Sequence, residues 1–575
     1  MTRAVQNQFS AAPYRVRLLL GTMAAAALVS GCGSSDETPA PAIADGTKAT
    51  LAMLETTDIH TNVLSYDYFK LAEDKSIGLE RTATLIAAGR KEFQNTMLLD
   101  DGDTIQGTAL ADYQAQVAPI DCNTTLGVYK VMNSLKYDAG TIGNHEFNYG
   151  LPALERANRQ STFPLLAANV FTPDGKHRFQ GWAVATRNGV KIAIVGATTP
   201  GSMVWDRDNL TGRLVVRDII PSVRDAVREA RESGAAVVVA VVHSGLDEPS
   251  SYDTVSTGLP SENVAARLAR EVPDIDLLVY GHSHKEMADT VIGKTLLMQP
   301  KNWATSVAIA HLTVQRQNGR WRVTAKRSRI VNATNHRESA QILAATQEGH
   351  RAAVAYANTA VGSTAVTWRA DSARVVDTPL IDFILDVERR ASGAQLASTA
   401  VFSLDATISA GPITVARLAA LYPYDNTLRA VKITGGQLRD YLEQSARYFR
   451  TSATGAVDVD PAIPGFNYDI VAGVDYTIDV SKPIGNRITT LEFEGRPVAP
   501  NDSFTMALNN YRQTGGGGFS MLRNAPVVYD RQLEIRQLLI DEVRRKGTIQ
   551  PSDYFHPNWR IVPPSAIGQI LKAPK

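Results

Sequence analysis

Four times between residues 49 and 284 an apolar run ends abruptly in a polar cluster. Residues 49–55 lead into Thr56-Thr57-Asp58-Ile59-His60, and 96–99 into Asp100-Asp101-Gly102-Asp103. Residues 235–242 lead into His243-Ser244-Gly245, and 276–280 into Gly281-His282-Ser283-His284. Residues 191–196 form a further run. Short apolar, β-branched runs of this kind predict buried strands. Between them, residues 78–93 place Leu79, Ala83, Ile86 and Ala87 near helical spacing, and the charged segment 215–233 also reads as helical. The alternation predicts α/β layering around a packed sheet.

The second half changes character. Residues 332–358 are polar and Ala-rich, with Gln341, Ala344, Ala345 and Ala352 on a predicted helix. From about Gly362 a second α/β pattern begins, with helices over 377–393 and 435–449, the latter after a Thr434-Gly435-Gly436 turn. No internal repeat is evident. At 575 residues two domains are expected. We place them at 49–330 and 362–565, with a linker helix over 331–361.

Composition adds limits. The chain is 44% hydrophobic and 20% charged, as in globular proteins with sizeable cores, and its net charge of +1 gives no global field for duplex nucleic acid. At the start, basic Arg3, Arg15 and Arg17 precede an apolar run, 18–29, that is short for a bilayer span. It ends in Leu28-Val29-Ser30-Gly31-Cys32, which resembles a bacterial lipobox. That reading makes 1–31 a signal peptide, Cys32 a lipid anchor to the membrane, and the Ser-, Ala- and Pro-rich 32–48 a flexible tether. The chain then faces the periplasm or the exterior of the cell envelope; an ordinary signal peptide and a soluble periplasmic protein are the alternative. Cys122, the other cysteine, has no partner for an internal disulfide and reads as a small apolar filler or an inert loop thiol.

The polar clusters carry the candidate chemistry. At a strand end Asp58 and His60, two apart, point to one side and suit one metal ion. Asp103 follows a turn permitted by Gly102, and its two carboxylate oxygens suit bridging. In Gly143-Asn144-His145-Glu146-Phe147-Asn148, Asn144 offers an amide oxygen to a divalent ion, and His145 suits a role on substrate. His243 ends one strand, and His282-x-His284 after another is a metal-type pair. Each cluster alone also admits a structural role: a loop pair, an acidic turn, a helix cap, a satisfied imidazole.

Taken in order, Asp58-x-His60, Gly102-Asp103, Gly143-Asn144-His145-Glu146, His243 and Gly281-His282-Ser283-His284 resemble the calcineurin-like metallophosphoesterases, in their branch of 5′-nucleotidases and 2′,3′-cyclic-nucleotide phosphodiesterases. The resemblance runs from about residue 50 to the end of the second domain and fills every metal-ligand position of the family pattern. It implies a four-layer metallophosphoesterase sandwich of sheets and helices, joined by a linker helix to a second α/β domain. It further implies two divalent metal ions, with Mn, Zn, Fe or Co all compatible with mixed N/O ligands. Asp58, His60 and His284 would hold one ion, Asn144, His243 and His282 the other, and Asp103 would bridge. His145 would contact the scissile phosphate or the leaving oxygen. In 5′-nucleotidases an Asp three residues on orients that histidine; here Asn148 stands there, a form that resembles the cyclic-nucleotide phosphodiesterase subgroup.

In the second domain the resemblance points to Tyr424, in Leu421-Tyr422-Pro423-Tyr424-Asp425-Asn426-Thr427, and Tyr511, in 509–518, as a sandwich for the base. Asn426 would be a polar contact beside it. Most Tyr side chains pack in cores, so each alone also reads as packing. Two departures from the 5′-nucleotidases stand out: Gly517 replaces an Asp in the last glycine motif, and residues 397–405 show no match to their phosphate-binding motif. The expectation is a hydrolase of nucleotide phosphoesters, a 2′,3′-cyclic-nucleotide 2′-phosphodiesterase with 3′-nucleotidase activity. The alternatives are a 5′-nucleotidase or UDP-sugar hydrolase, and a non-catalytic binding lipoprotein on the same fold.

Overall fold

The computed structural model describes residues 43–572 apart from 120–124, 251, 253, 425, 453 and 454, so Cys32 and Cys122 lie outside the described residues. The apolar runs form strands of two six-stranded sheets. One sheet takes Lys48–Thr56, Thr96–Asp100 and Ala139–Thr141 in parallel. Ser306–Gln317 and Arg320–Asn332 extend it as a long antiparallel hairpin. The other takes Val190–Thr198, Val237–His243 and Leu277–Tyr280 in parallel.

Alternate residues of each strand serve different cores, because successive side chains point to opposite faces. Leu51, Met53, Val239 and Val241 meet in the layer between the sheets. Ala52 and Leu54 turn outward under the helix Leu79–Glu92, and Val238, Ala240 and Val242 under Ile219–Glu232. Burial on both faces is why these strands read as unbroken apolar runs. Helix, sheet, sheet, helix is the four-layer sandwich that the resemblance implies.

Several boundaries differ from expectation. Within Leu79–Glu92, Ala87 faces solvent and Leu85 is buried instead. The helix expected over 215–233 starts only at Ile219, where Asp218 accepts the Ile220 N–H; Val215–Val216 pairs as a short strand. Gly46 N–H donates to the Arg316 carbonyl and Arg316 N–H to that of Thr47, so residues 46–47, expected from the sequence to be part of a tether, lie along the sheet edge. The 306–332 hairpin was not foreseen, although its turn, Asn318-Gly319, carries the positive φ values of 51° and 72° that such a pair favours.

The linker helix is Ala340–Ala357, and Asn332 belongs to the preceding strand. Its face at Ala353 and Ala357 packs with Tyr68, Ala109 and Leu110 on one side and Ala416 on the other. The second domain centres on a five-stranded sheet in the order Asp469–Ala472, Leu396–Ala400, Ser503–Asn509, Thr427–Thr434, Val527–Glu534. Helix Pro379–Ser392 buries Leu380, Phe383, Ile384 and Val387 in its core and stops at Gly393, whose φ is 71°. Helix Gly435–Ala446 starts with a reciprocal cap between Thr434 and Gln437 and ends before Phe449, which opens a strand. Among the described residues no helix is long and apolar enough to cross a membrane.

Candidate active site

The parallel register decides where the polar clusters meet. Thr56 pairs with Asp100 and His243 with Thr198, so the loops after these strands leave their sheets level with their neighbours. The carboxyl ends of parallel strands are where α/β folds place ligands. Room there is tight: a Cβ on Gly281 would lie 2.0 Å from Thr57 Oγ1, and one on Gly143 2.3 Å from Asp103 Oδ1. Glycine at both positions lets the loops close on one point.

Three overlapping groups of possible ligands result: Asp58, His60 and His284; His60, Asp103 and His145; and Asp103, His243 and His282. Within each, the donor atoms lie within 4.8 Å of one another. His60 Nε2 is 3.2 Å from His284 Nε2, and Asp58 Oδ1 is 3.4 Å from that same nitrogen. His243 Nε2 faces Asp103 Oδ2 at 3.0 Å and Asn144 Oδ1 at 3.2 Å. Asn144 precedes a 3₁₀ turn but makes no cap bond with its side chain.

The donor set fits cations. His60 Nδ1 sits 3.0 Å from the Gln106 carbonyl, and His243 Nδ1 2.6 Å from that of Asp101. A carbonyl only accepts, so each Nδ1 carries the hydrogen and each neutral ring turns a lone pair at Nε2 toward the cluster. Nitrogen lone pairs then face carboxylate and amide oxygens, and Asp58 Oδ1 is buried without a hydrogen-bond partner among the described residues. Such contacts repel unless positive charge lies among them. Burial, then the charge of His145, pushes His60 down to about 3, which keeps it neutral and able to ligate. Burial opposes ionisation of Asp103, yet His243 and His145 hold it well below the usual carboxylate range. Burial opposes charge on His243 too, but the Asp103 carboxylate outweighs it and raises this imidazole well above its usual range, so a proton takes the place at Nε2 when no cation does, and a bound cation would displace it to free the lone pair.

The backbone is strained at the same place. Asp58, His60, Asp103, His282 and His284 all have positive φ, between 47° and 67°. This left-handed region is uncommon for residues other than glycine.

Several supporting residues escaped the sequence reading. Glu146 accepts backbone N–H bonds from Gly143 at 2.6 Å, Asp103 at 2.9 Å and Thr104 at 2.6 Å, pinning the two ligand loops together. His145 Nδ1 lies 2.6 Å from Asn148 Oδ1, and Asn148 Nδ2 donates to both oxygens of buried Asp206, at 3.0 and 3.2 Å. A carboxylate therefore does stand behind this histidine, one residue further back. Glu262 Oε1 takes His282 Nε2 at 2.8 Å, and the Trp205 ring lies 5.5 Å from that imidazole. Trp205, Asp206 and Glu262 sit in segments with no periodic pattern; an Asp or Glu there carries no sequence signal of its own.

In the second domain Tyr422 is fully buried, whereas Tyr424 and Tyr511 are 46% and 42% exposed. Phe402 packs edge-on against Tyr424 at 5.1 Å, and the Tyr511 ring lies over Gly516, where a Cβ would come within 2.6 Å. Asn426 is half-buried, and its carbonyl accepts the Ile535 N–H. The departure at Gly517 has a steric reason: a Cβ there would meet Arg512 Nη1 and Asn467 Oδ1 at 2.3 Å. Arg512 is locked in a two-bond pair with Asp469. Buried Arg429 joins the halves, donating to Gln513 in the turn of Tyr511 and to the carbonyl of Val204, two residues before Asp206.

Comparison with known proteins places this site in a class. Residues 53–286 match the calcineurin-like phosphoesterase model and 355–524 the 5′-nucleotidase C-terminal domain model. The chain belongs to this family of metal-dependent phosphoesterases and nucleotidases. It is 31% identical, over 89% of each chain, to the 2′,3′-cyclic-nucleotide 2′-phosphodiesterase/3′-nucleotidase of Salmonella typhimurium. It is also 31% identical to the trifunctional nucleotide phosphoesterase YfkN of Bacillus subtilis, over 91% of this chain but only 40% of that longer protein. A Staphylococcus aureus protein assigned provisionally as a 5′-nucleotidase shares the fold, with a TM-score of 0.72 at 24% identity, covering 89% of this chain and all of that one.

Proposed function

We propose that the chain is a 2′,3′-cyclic-nucleotide 2′-phosphodiesterase that also removes 3′-phosphates. One observation carries the hydrolase chemistry: the convergence of Asp103 with His243 on one side and His60 on the other, beside His145. Asp58, His60 and His284 would hold one divalent ion and Asn144, His243 and His282 a second, with Asp103 shared. When bound, two such ions supply Lewis-acid activation of the phosphoester and of the attacking water. His145 would give a proton to the departing oxygen, and Asn148, 2.6 Å from its Nδ1, would keep its ring oriented.

The preference for cyclic and 3′ substrates is supported by Asn148, by Gly517 backed against Arg512, and by the relatives named for that activity. The test is hydrolysis of 2′,3′-cyclic AMP, 3′-AMP and 5′-AMP by purified protein with added divalent metal. Preference for 5′-AMP with little cyclic activity would sink this reading in favour of a 5′-nucleotidase.

Tyr424 and Tyr511 would sandwich the base, since exposed aromatic faces are what a nucleobase stacks on, and Asn426 would contact its edge. Stacking on an aromatic side chain contributes about 1–3 kcal/mol per base. Tyr424→Ala and Tyr511→Ala should each raise KM for nucleotides by roughly fivefold to a hundredfold while sparing a small chromogenic phosphodiester. Equal losses on both substrates would reject the sandwich. The lipobox-like Leu28–Cys32 further supports a chain anchored to the cell envelope through a lipid on Cys32.

A further inference from the structure

At the amino ends of the strands, opposite the ligand loops, runs a groove of about 1100 Å³. Seven of its lining residues are Lys or Arg and three are carboxylates, on a chain whose net charge is only +1. Part of this charge is structural: Arg231 is held by Asp276 at 2.7 Å and by backbone carbonyls, and Lys326 by the carbonyl of Asp276 at 3.0 Å. Lys294, Arg320 and Arg322 are different. They are exposed, and their side chains have no ion pair or hydrogen bond among the described residues. Trp321, 8% exposed, lines the same groove, and its indole N–H, like Nε of Arg316, lacks an acceptor among the described residues. Exposed, unpaired cations along one groove suit an anionic surface, whereas these two N–H groups are covered from solvent.

The chain also enters the domain here. Gly46 N–H donates to Arg316 at 2.8 Å, Arg316 N–H to Thr47 at 2.9 Å, and Gly319 N–H to Asp45 Oδ1 at 3.0 Å. Arg316 and Gly319 are themselves part of the groove. The 15-residue stretch from Cys32 to Gly46 spans at most about 50 Å when extended. The strand Lys48–Thr56 crosses the sheet from this face to Asp58, a rise of roughly 30 Å.

We propose that this groove docks on the headgroups of anionic phospholipids, so that the bilayer to which Cys32 is anchored meets the amino-end face and the ligand loops point away from it. The pairing of an anchor with a basic patch follows the two-signal logic of stable membrane attachment. Tethering raises the local headgroup concentration, so a modest patch suffices. The proposal rests on the envelope reading for its biological setting, but the binding itself does not require a lipid on Cys32.

The test uses the full chain carrying Cys32→Ser, sedimented with vesicles of phosphatidylglycerol or of phosphatidylcholine. The apolar 18–29 segment and Arg3, Arg15 and Arg17 beside it are shared by the parent and its groove variant, so the groove is read from the difference between those two chains. We expect preference for phosphatidylglycerol, lost in high salt. Lys294→Glu, Arg320→Glu and Arg322→Glu together should weaken it at least about tenfold, since each basic residue near an anionic surface contributes roughly fivefold. Nucleotide hydrolysis should be unchanged, which also shows that the variant folds. Equal binding to the two vesicles, or a preference untouched by charge reversal, would overturn the proposal. So would saturable binding of inorganic pyrophosphate that competes fully with the vesicles at equal phosphate, because the groove would then be a small-anion site. Acyl labelling at Cys32 in the unmodified chain is read separately. Its absence, with the vesicle preference intact, counts against the anchor alone.

Discussion

Asp103→Asn should leave a folded protein that hydrolyses nucleotides at least about a hundredfold more slowly, more than the 10–100-fold typical of losing a supporting partner. The carboxylate is buried, lies 3.0 Å from His243 Nε2 and 3.9 Å from His60 Nε2, and accepts the His145 N–H at 2.8 Å. Asparagine keeps the volume and one acceptor oxygen. It removes the charge and the second oxygen through which one residue could serve two cations. Metal content, measured on purified protein, should fall with the rate. Unchanged metal content and hydrolysis would show the site to be misassigned, and a wild-type chain that binds metal without turnover would favour the binding-lipoprotein alternative.

The second large effect belongs to Asp206. Burial pushes its carboxyl up to about 6, against the opposing pull of Asn148 and His145. Above that pH the ionised carboxylate accepts from Asn148 Nδ2 and so turns Asn148 Oδ1 toward His145 Nδ1. Below it, the protonated carboxyl can donate to Asn148 and the amide loses its fixed direction. The acidic limb of kcat/KM should therefore fall near pH 6. Asp206→Asn should abolish that limb and lower kcat by about 10–100-fold, as for other supporting partners, with KM little changed. A variant whose pH profile matches the parent would remove Asp206 from the relay. Stability moves the other way. A folded pKa above the unfolded value means the native state binds the extra proton between pH 4 and 6, so this group's contribution falls as pH rises through that window. At neutral pH the buried charge costs about 3 kcal/mol, a slope that Asp206→Asn should flatten.

The parts of this molecule legible in its sequence are those where local chemistry and global position coincide. Strands buried on both faces leave unbroken apolar runs, and the candidate ligands follow them directly, so Asp58, His243 and His284 stand out. Asp206 and Glu262 could not be found this way. Each is a single acid in an aperiodic loop, and its meaning comes from a partner, Asn148 or His282, that only the folded chain brings close. In sequence each tyrosine also reads as core packing; the fold leaves Tyr424 and Tyr511 exposed and buries Tyr422, a difference that no local pattern carries. The departure at Asn148 looked like a missing carboxylate; the fold shows a carboxylate displaced by one link.

The left-handed backbone at five ligand positions bears on how such a protein changes over generations. At about 1 kcal/mol each, these conformations claim some 5 kcal/mol, a sizeable part of the 5–15 kcal/mol that holds a typical domain folded. A mutation to glycine at Asp58, His60, Asp103, His282 or His284 would relax the chain and remove a candidate ligand together. Drift without selection for activity therefore runs downhill toward sturdier, inert descendants, and the strained loops persist only while turnover is what lineages are kept for.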